Sequence, residues 1–244
     1  MIDYACKCEV GSKRDINQDS IAAFSKDDVG LFVVADGMGG HLEGEKASQQ
    51  ITRDMTEWWD GFSREKYGNN FQRMVESIKV SLEKANMTIY EEYNQKGICG
   101  STVVVLFVFG SAYAVINVGD SRGYLSSGYF DWKQITYDDV WENQPGLPLS
   151  DKNNKKHPDR GKLITAIGTK NFVRCHITTD DIKPGTKFLL CSDGIYRFCS
   201  EKKLKHFVRK VKRNSIVTTC ENIKDIVYKN GAKDNLSLII VMVS

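Results

Sequence analysis

The sequence predicts a single domain of the α+β class, and the order of its segments together with its length and composition supports this prediction. Strand-like runs are grouped along the chain and so are helix-like segments, whereas a parallel doubly wound sheet needs the two to alternate strictly. The 244 residues, of which 41% are hydrophobic, can bury one sizeable core. We therefore expect a single domain over residues 1–244.

Eight runs of continuous or alternating apolar residues predict β-strands. They cover residues 2–10, 20–24, 31–35, 102–109, 112–118, 173–177, 186–191 and 236–243. Four segments with apolar residues at steps of three and four predict amphipathic helices. These helices cover residues 43–59, 71–93, 201–215 and 216–227. The stretch 142–162 holds three of the four prolines and has no periodicity, so it predicts a surface excursion.

The charge balance and the cysteines narrow the class of protein. The net charge of +3 results from 34 basic and 31 acidic residues, which argues against a nucleic-acid binder organised around bulk positive charge. We therefore interpret the lysine-rich segment 201–215 as the solvent-facing side of a helix. Seven cysteines without a C-x-x-C pair, no signal peptide and no apolar run of about 18 residues predict a cytoplasmic protein without a membrane span.

Five aspartates stand at the edges of predicted strands. Apolar runs end just before Asp36, Asp120 and Asp193, and others begin just after Asp19 and Asp234. An aspartate at such a boundary usually caps a helix or forms an Asx turn, and for a single aspartate that interpretation suffices. Strand ends can also bring residues that are distant in sequence to one rim of a sheet, so the five carboxylates could meet in space.

Convergence of these carboxylates would require a cation. Their mutual repulsion and desolvation would otherwise cost several kcal/mol per charge. The donor set is all oxygen, which favours Mg²⁺ or Mn²⁺. Three glycines in the four positions after Asp36 would let the backbone approach such an ion and adopt positive φ. No loop has the ligand spacing of an EF-hand.

Seven short motifs occur in the order found in one known family. They are "RDINQDS", "VVADGMGGHLEGEKAS", "GSTVVV", "VGDSRGYL", "LITAIG", "LLCSDG" and "DNLSLIIV". Together they resemble the metal-dependent PP2C-type protein serine/threonine phosphatases, in particular the bacterial branch, over about residues 12–243. The resemblance implies a four-layer α-β-β-α sandwich, with two antiparallel sheets packed face to face, helices on both outer sides and a two-metal centre at one end.

The resemblance also implies metal ligands by motif position. Asp36 resembles a carboxylate that bridges two Mn²⁺ or Mg²⁺ ions, and the Gly37 carbonyl faces one of them. The other ion would be bound by Asp193 and Asp234. Asp19 resembles a residue that holds the cluster through bound water.

Two further roles follow from the same motifs. Asp120 and Asp193 resemble the pair that binds an additional, weaker ion in bacterial relatives. Arg14 matches the family's phosphate-binding arginine, whose planar fork can grip two phosphoryl oxygens. Its alternative is a surface ion pair with Asp15 or another carboxylate. The implied catalytic residues are therefore Arg14, Asp36 and Asp193.

The sequence departs from the family pattern in three places. Met38 stands where the animal branch has a histidine that is a candidate proton donor, and His41 either donates a proton or hydrogen-bonds the turn. Asp139 follows Asp138 where relatives commonly carry Asp-His. The stretch of about residues 139–162 resembles the family's mobile flap but keeps only its "HP".

These observations predict an enzyme that hydrolyses phosphoserine and phosphothreonine in proteins and reverses a Ser/Thr kinase. A non-catalytic regulator of the same fold, which binds phosphorylated partners, is the alternative. Loss of activity would be expected to show at the metal ligands, and all of them are present. The expected partners are phosphorylated proteins and a Ser/Thr kinase, with no nucleic acid, no membrane and a monomeric chain.

Overall fold

The computed structural model describes residues 1–39, 43–94, 97–128 and 131–244, and within these ranges ten strands form two antiparallel sheets of five. The first sheet has the order β1 (Ile2–Glu9), β10 (Leu236–Val243), β9 (Lys187–Cys191), β6 (Arg122–Ser126) and β7 (Lys133–Gln134). The second has the order β2 (Asp19–Lys26), β3 (Val29–Met38), β4 (Gly100–Phe109), β5 (Ala112–Val118) and β8 (His176–Asp181).

The alternation of side chains along a strand explains why both faces of β3 are buried. Phe32 and Val34 point into the core between the two sheets, where they meet side chains such as Phe188 of the other sheet. Leu31 and Val33 point the other way, into a core shared with helices. A strand buried on both faces needs the continuous apolar run that the sequence shows here.

Helices cover the outer face of each sheet. Helices α1 (Glu43–Asp60) and α3 (Phe71–Thr88) pack on the second sheet, and α3 is capped by Asn70, whose side chain accepts a hydrogen bond from the Arg73 amide. Helices α6 (Glu201–Lys210) and α7 (Ile216–Lys229) pack on the first sheet. Short helices are α2 (Arg64–Tyr67), α4 (Leu149–Asn153) and α5 (Asp193–Tyr196). In the described ranges, no helix combines the length and apolarity that crossing a bilayer requires.

The predicted α-β-β-α sandwich is confirmed, with corrections to individual elements. The sequence missed β6 and β7 because Arg122 and Gly123 interrupt the apolar pattern and β7 is only two residues long. The strand predicted at 173–177 is β8, which begins at His176 because its register is set by pairing with β5. The helix predicted at 201–215 ends at Lys210, and Val211 is already extended although its side chain stays in the same core.

Backbone contacts join the two ends of the surface excursion predicted at residues 142–162. The Trp141 amide donates to the Lys162 carbonyl at 2.9 Å, and Val140 forms an antiparallel bridge with Leu163. Inside the segment, the Trp141 ring stacks on His157 with 3.8 Å between ring centroids. The segment is thus a compact surface loop that returns to its starting point.

Candidate metal centre

Strand pairing places the first two predicted aspartates side by side. In the register of β2 and β3, Asp19 lies directly opposite Asp36. The Asp19 side chain is buried, with its Oδ2 accepting a hydrogen bond from the Ser192 hydroxyl at 2.8 Å. Both aspartates lie inside strands rather than in turns, because β2 and β3 are longer than their apolar runs. Two carboxylates therefore share the end of one strand pair.

The neighbouring sheet brings two more aspartates to the same end. Asp193 follows the end of β9, and Asp234 stands just before β10, which pairs with β9. The Asn235 side chain fixes the junction between the sheets, since its Oδ1 accepts from the Gln18 amide and its Nδ2 donates to the Ile16 carbonyl, both at 2.9 Å. The Arg14–Asp19 segment is thereby held against the start of β10.

Two glycines allow the close approach of backbone at this junction. A Cβ on Gly37 would overlap the Gly44 carbonyl oxygen, and a Cβ on Gly194 would overlap the Asn235 carbonyl oxygen. Gly37 continues β3, and of the glycines after Asp36 that the structure describes, Gly39 has the positive φ, at 151°. The glycine that follows Asp36 therefore serves close backbone packing, whereas the positive φ expected among these glycines occurs at Gly39.

The carboxylates lie close enough together to change one another's ionisation. Burial raises the pKa of Asp19 to about 6. Burial raises the pKa of Asp36 well above its usual range, and the charges of Asp19, Asp193, Asp120 and Asp234 raise it further. Burial is also the main cause that raises the pKa of Asp193 to about 7, against the opposing effect of a nearby arginine. The five aspartates thus form one electrostatically coupled cluster.

The donor chemistry of this cluster fits hard divalent cations. Asp19 Oδ1 is buried and has no hydrogen-bond partner among the described residues, so it has an unused lone pair aimed into the protein. The oxygens around it belong to carboxylates whose repulsion a cation would relieve. Oxygen-only donors of this kind suit Mg²⁺ or Mn²⁺ better than Zn²⁺ or copper.

Arginines neutralise three of the five carboxylates in the structure. Arg14 donates from Nε to Asp234 Oδ1 at 2.9 Å and from Nη2 to Asp234 Oδ2 at 3.2 Å. Arg197 Nη2 lies 3.0 Å from Asp193 Oδ2 and 3.5 Å from Asp120 Oδ2. Within the described part of the chain, no three acidic, histidine or cysteine side chains are arranged to hold a metal ion. The aspartates are gathered, but Arg14 and Arg197 occupy oxygens that metal ions would use.

Asp120 lies in a turn whose backbone is hydrogen-bonded to Asp139. Asp139 Oδ2 accepts a hydrogen bond from the Gly119 amide at 2.8 Å, and the Asp139 amide donates to the Gly119 carbonyl at 3.0 Å. The other oxygen of Asp139 lies 2.8 Å from His176 Nε2. Asp139, which departs from the family pattern in the sequence, therefore fixes the turn next to Asp120.

Removing this support is expected to weaken the site. We expect Asp139→Ala to lower kcat/KM by about 10-fold, because the Gly119 amide loses its buried acceptor and the turn that holds Asp120 beside Asp193 is weakened. Asp139→Asn is the matched control, because its amide oxygen can still accept from the Gly119 amide, and it should stay within about twofold of wild type. Steady-state kinetics on a phosphopeptide measures both. Equal losses in the two variants would contradict the role of the Gly119 contact.

Without metal, the protein is expected to lose stability as the pH rises from about 4 to about 7. Unfolded aspartates release their protons near pH ~3.9, whereas folded Asp19 and Asp193 hold theirs to about 6 and about 7. The folded state therefore binds more protons in this window, and the free energy of unfolding falls with pH. Each kcal/mol lost lowers Tm by about 2–4 °C in a domain of this size.

Thermal unfolding in excess EDTA across this window measures the effect. Mn²⁺ should raise Tm more at about pH 7.5 than at about pH 5, because metal ligands must be deprotonated. A Tm that rises with pH in EDTA would contradict the burial of these carboxyl groups.

The structure gathers the predicted ligands but adds residues that the sequence did not reveal. Asp19, Asp36, Gly37, Asp193 and Asp234 lie at the junction of β2, β3, β9 and β10. The residues missed were Tyr196, Arg197 and Asn235. The spacing of Arg197, four residues after Asp193, could have signalled an ion pair on a helical turn. His41, the candidate proton donor, lies outside the described residues.

Solved structures with the same two-sheet sandwich include several bacterial phosphatases. The catalytic domain of the serine/threonine protein phosphatase PstP, in complex with two manganese ions, superposes with a TM-score of 0.82 over 100% of this chain and 99% of that chain, at 24% identity. PppA, described as a key regulatory component of T6SS in Pseudomonas aeruginosa, has a TM-score of 0.82 over 99% of this chain and 98% of that chain, at 24% identity. At this identity the likeness shows the fold.

Sequence comparison gives the family. A model of the protein phosphatase 2C family matches residues 11–226, and the chain belongs to this family. It is 26% identical over 234 residues to the serine/threonine phosphatase stp of Listeria monocytogenes, across 95% of this chain and 92% of stp. It is 25% identical over 243 residues to PstP of Mycobacterium tuberculosis, across 98% of this chain but 45% of PstP. The chain thus spans about half the length of PstP.

Proposed function

We propose that the chain is a Mn²⁺- or Mg²⁺-dependent phosphatase that hydrolyses phosphoserine and phosphothreonine in proteins. The observation that carries this proposal is that strand pairing and the Asn235 contacts bring Asp19, Asp36, Asp193 and Asp234, which are far apart in sequence, to the same end of the two sheets. Relatives in the family are named serine/threonine phosphatases, and one is described with two manganese ions. In this proposal the chain reverses the action of a Ser/Thr kinase and works in the cytoplasm.

Four residues would hold the ions. The carboxylates of Asp36, Asp193 and Asp234 and the carbonyl of Gly37 would bind them, and the unpartnered Oδ1 of Asp19 would accept a hydrogen bond from a coordinated water. Divalent ions at such a centre neutralise charge on phosphoryl oxygens and lower the pKa of water, which supplies hydroxide near neutral pH. This matters because phosphate monoesters are among the slowest substrates to hydrolyse without a catalyst.

Arg14 would bind the substrate. Its guanidinium is half exposed and hydrogen-bonds Asp234 through two nitrogens, so a small rotation would turn the same fork toward a phosphoryl group. Two parallel hydrogen bonds would orient the phosphoryl group while its charge redistributes in a loose transition state. Arg14 would be free for this role once Asp234 no longer accepts its two hydrogen bonds.

The surface loop beside the centre would contact the rest of the phosphopeptide. A cavity of about 310 Å³ lies between Asp120 and the loop residues Glu142 and Arg160. Arg160 is held in the loop by its Nη1, which donates to the Lys152 carbonyl at 2.8 Å. The cavity could receive a side chain next to the phosphorylated residue, and in this proposal the loop helps to select substrates.

Phosphate release from p-nitrophenyl phosphate and from a panel of phosphothreonine and phosphoserine peptides tests the proposal. We expect turnover with Mn²⁺, none in excess EDTA, and recovery when Mn²⁺ is restored. Undiminished phosphate release in EDTA would contradict the metal-dependent mechanism. Folded, metal-loaded protein that binds phosphopeptides at micromolar concentration without turning them over would favour the non-catalytic regulator.

A further inference from the structure

The carboxylate cluster already contains a positively charged side chain, the guanidinium of Arg197. Arg197 lies at the C-terminal end of the short helix that begins at Asp193, and its Nη2 approaches Asp193 Oδ2 at 3.0 Å and Asp120 Oδ2 at 3.5 Å. The two carboxylate side chains are only 13% and 9% exposed, whereas the arginine side chain is 50% exposed. A single guanidinium nitrogen therefore sits between two nearly buried acids.

A second side chain contacts the same oxygen of Asp120. The Tyr196 hydroxyl lies 3.1 Å from the same Asp120 Oδ2 that faces Arg197 and 3.1 Å from the Asp120 carbonyl oxygen. The Tyr196 ring is held in place by the Arg122 guanidinium, which stacks on it at 3.8 Å and hydrogen-bonds Asp138 at 2.7 Å. Asp120 Oδ2 thus faces a tyrosine hydroxyl and a guanidinium, of which the guanidinium is charged.

We propose that Arg197 takes the place of the additional, weaker divalent ion between Asp120 and Asp193, so that this chain binds two divalent ions and not three. This inference rests on the proposed function for the two core ions. Arg197 lies four positions after Asp193, outside the seven motifs that carry the family resemblance.

Electrostatics and ligand number both support the replacement. An ion between Asp120 and Asp193 would have to displace the guanidinium or lie beside it, and like charges that share two nearly buried carboxylates repel each other. Mg²⁺ and Mn²⁺ also favour about six oxygen ligands, whereas a guanidinium needs only acceptors within reach of its fork. The charge of Arg197 is permanent, so neutralisation of Asp120 does not depend on the metal concentration.

Counting bound Mn²⁺ tests the inference directly. We expect equilibrium dialysis at saturating Mn²⁺, with metal quantified in the protein chamber, to give two ions per wild-type chain. Arg197→Gln removes the charge and keeps the side-chain length, and we expect it to bind three. Arg197→Lys should stay at two because the positive charge is retained. The double variant Arg197→Gln with Asp120→Asn should return to two, which would locate the third ion at Asp120.

A matched control and the wild-type count keep the inference falsifiable. Arg53→Gln changes an exposed arginine on α1, whose Nη2 donates to Gln50 Oε1 at 2.8 Å, and it should bind two ions. Three ions in the wild type, or two in folded Arg197→Gln, would overturn the inference and leave the proposed function intact. A wild-type chain that binds no Mn²⁺ would contradict the proposed function, and the inference with it.

Discussion

Asp36→Asn is expected to lower kcat for phosphothreonine peptides by at least about 10²–10³-fold, the loss seen when one preorganised electrostatic contact is removed from an active site. Burial raises the pKa of the Asp36 carboxyl group, and the negative charges of four other aspartates raise it further. An asparagine keeps the size of the side chain but supplies no charge to bind a cation. The loss should therefore come from weakened metal binding, not from misfolding.

Stability separates this explanation from simple damage to the fold. Asn at position 36 removes a buried carboxyl group that repels Asp19, so in EDTA the variant should have a Tm equal to or above that of wild type. It should also gain much less Tm from Mn²⁺. Asp60→Asn, an exposed change at the end of α1, is the control and should match wild type in both measurements. Wild-type activity in Asp36→Asn would contradict the assignment of Asp36 as a metal ligand.

Arg14→Ala is expected to lower kcat/KM by about 10²-fold, because a bidentate, charge-assisted contact to the phosphoryl group is lost. The same change should tighten Mn²⁺ binding, since Asp234 loses the guanidinium that now occupies both of its oxygens. Activity and metal affinity would thus move in opposite directions. That combination distinguishes a substrate-binding arginine from one that merely pairs with Asp234.

Arg14→Lys provides the matched comparison. A lysine keeps the charge but offers a point contact instead of a planar fork, so it should recover only part of the lost kcat/KM. Isothermal titration with Mn²⁺ and steady-state kinetics measure the two effects. Unchanged kcat/KM in Arg14→Ala would show that the arginine serves only the ion pair with Asp234 seen in the structure.

Local sequence patterns predicted most of the fold because they are set by burial. The run at 31–35 is continuously apolar because alternate residues of β3 face two different cores, and the stripe that begins at Phe71 lies over the sheet. By contrast, β6 carries Arg122, whose charge is matched by Asp138 from elsewhere in the chain. An ion-pair partner that comes close only on folding cannot be predicted from the residues around Arg122 in the sequence.

The same distinction explains the site. Asp36 and Asp193 could be predicted because motifs place them at strand ends, yet their separation in the folded chain depends on the register between β2 and β3 and on the Asn235 contacts. The ion pair from Arg197 to Asp193 follows from helical spacing, whereas its contact with Asp120 needs the neighbouring strand. Residues that act through tertiary contacts are therefore the ones that sequence reasoning missed.

The central claim is that aspartates from distant strands hold divalent ions at the junction of the two sheets. Anomalous diffraction at the manganese edge, from crystals grown with Mn²⁺, tests it most directly. We predict two peaks bounded by Asp36, Asp193 and Asp234, with Arg14 turned away from Asp234. The absence of any manganese peak within coordination distance of these three carboxylates, in protein that is folded and saturated with Mn²⁺, would contradict the claim.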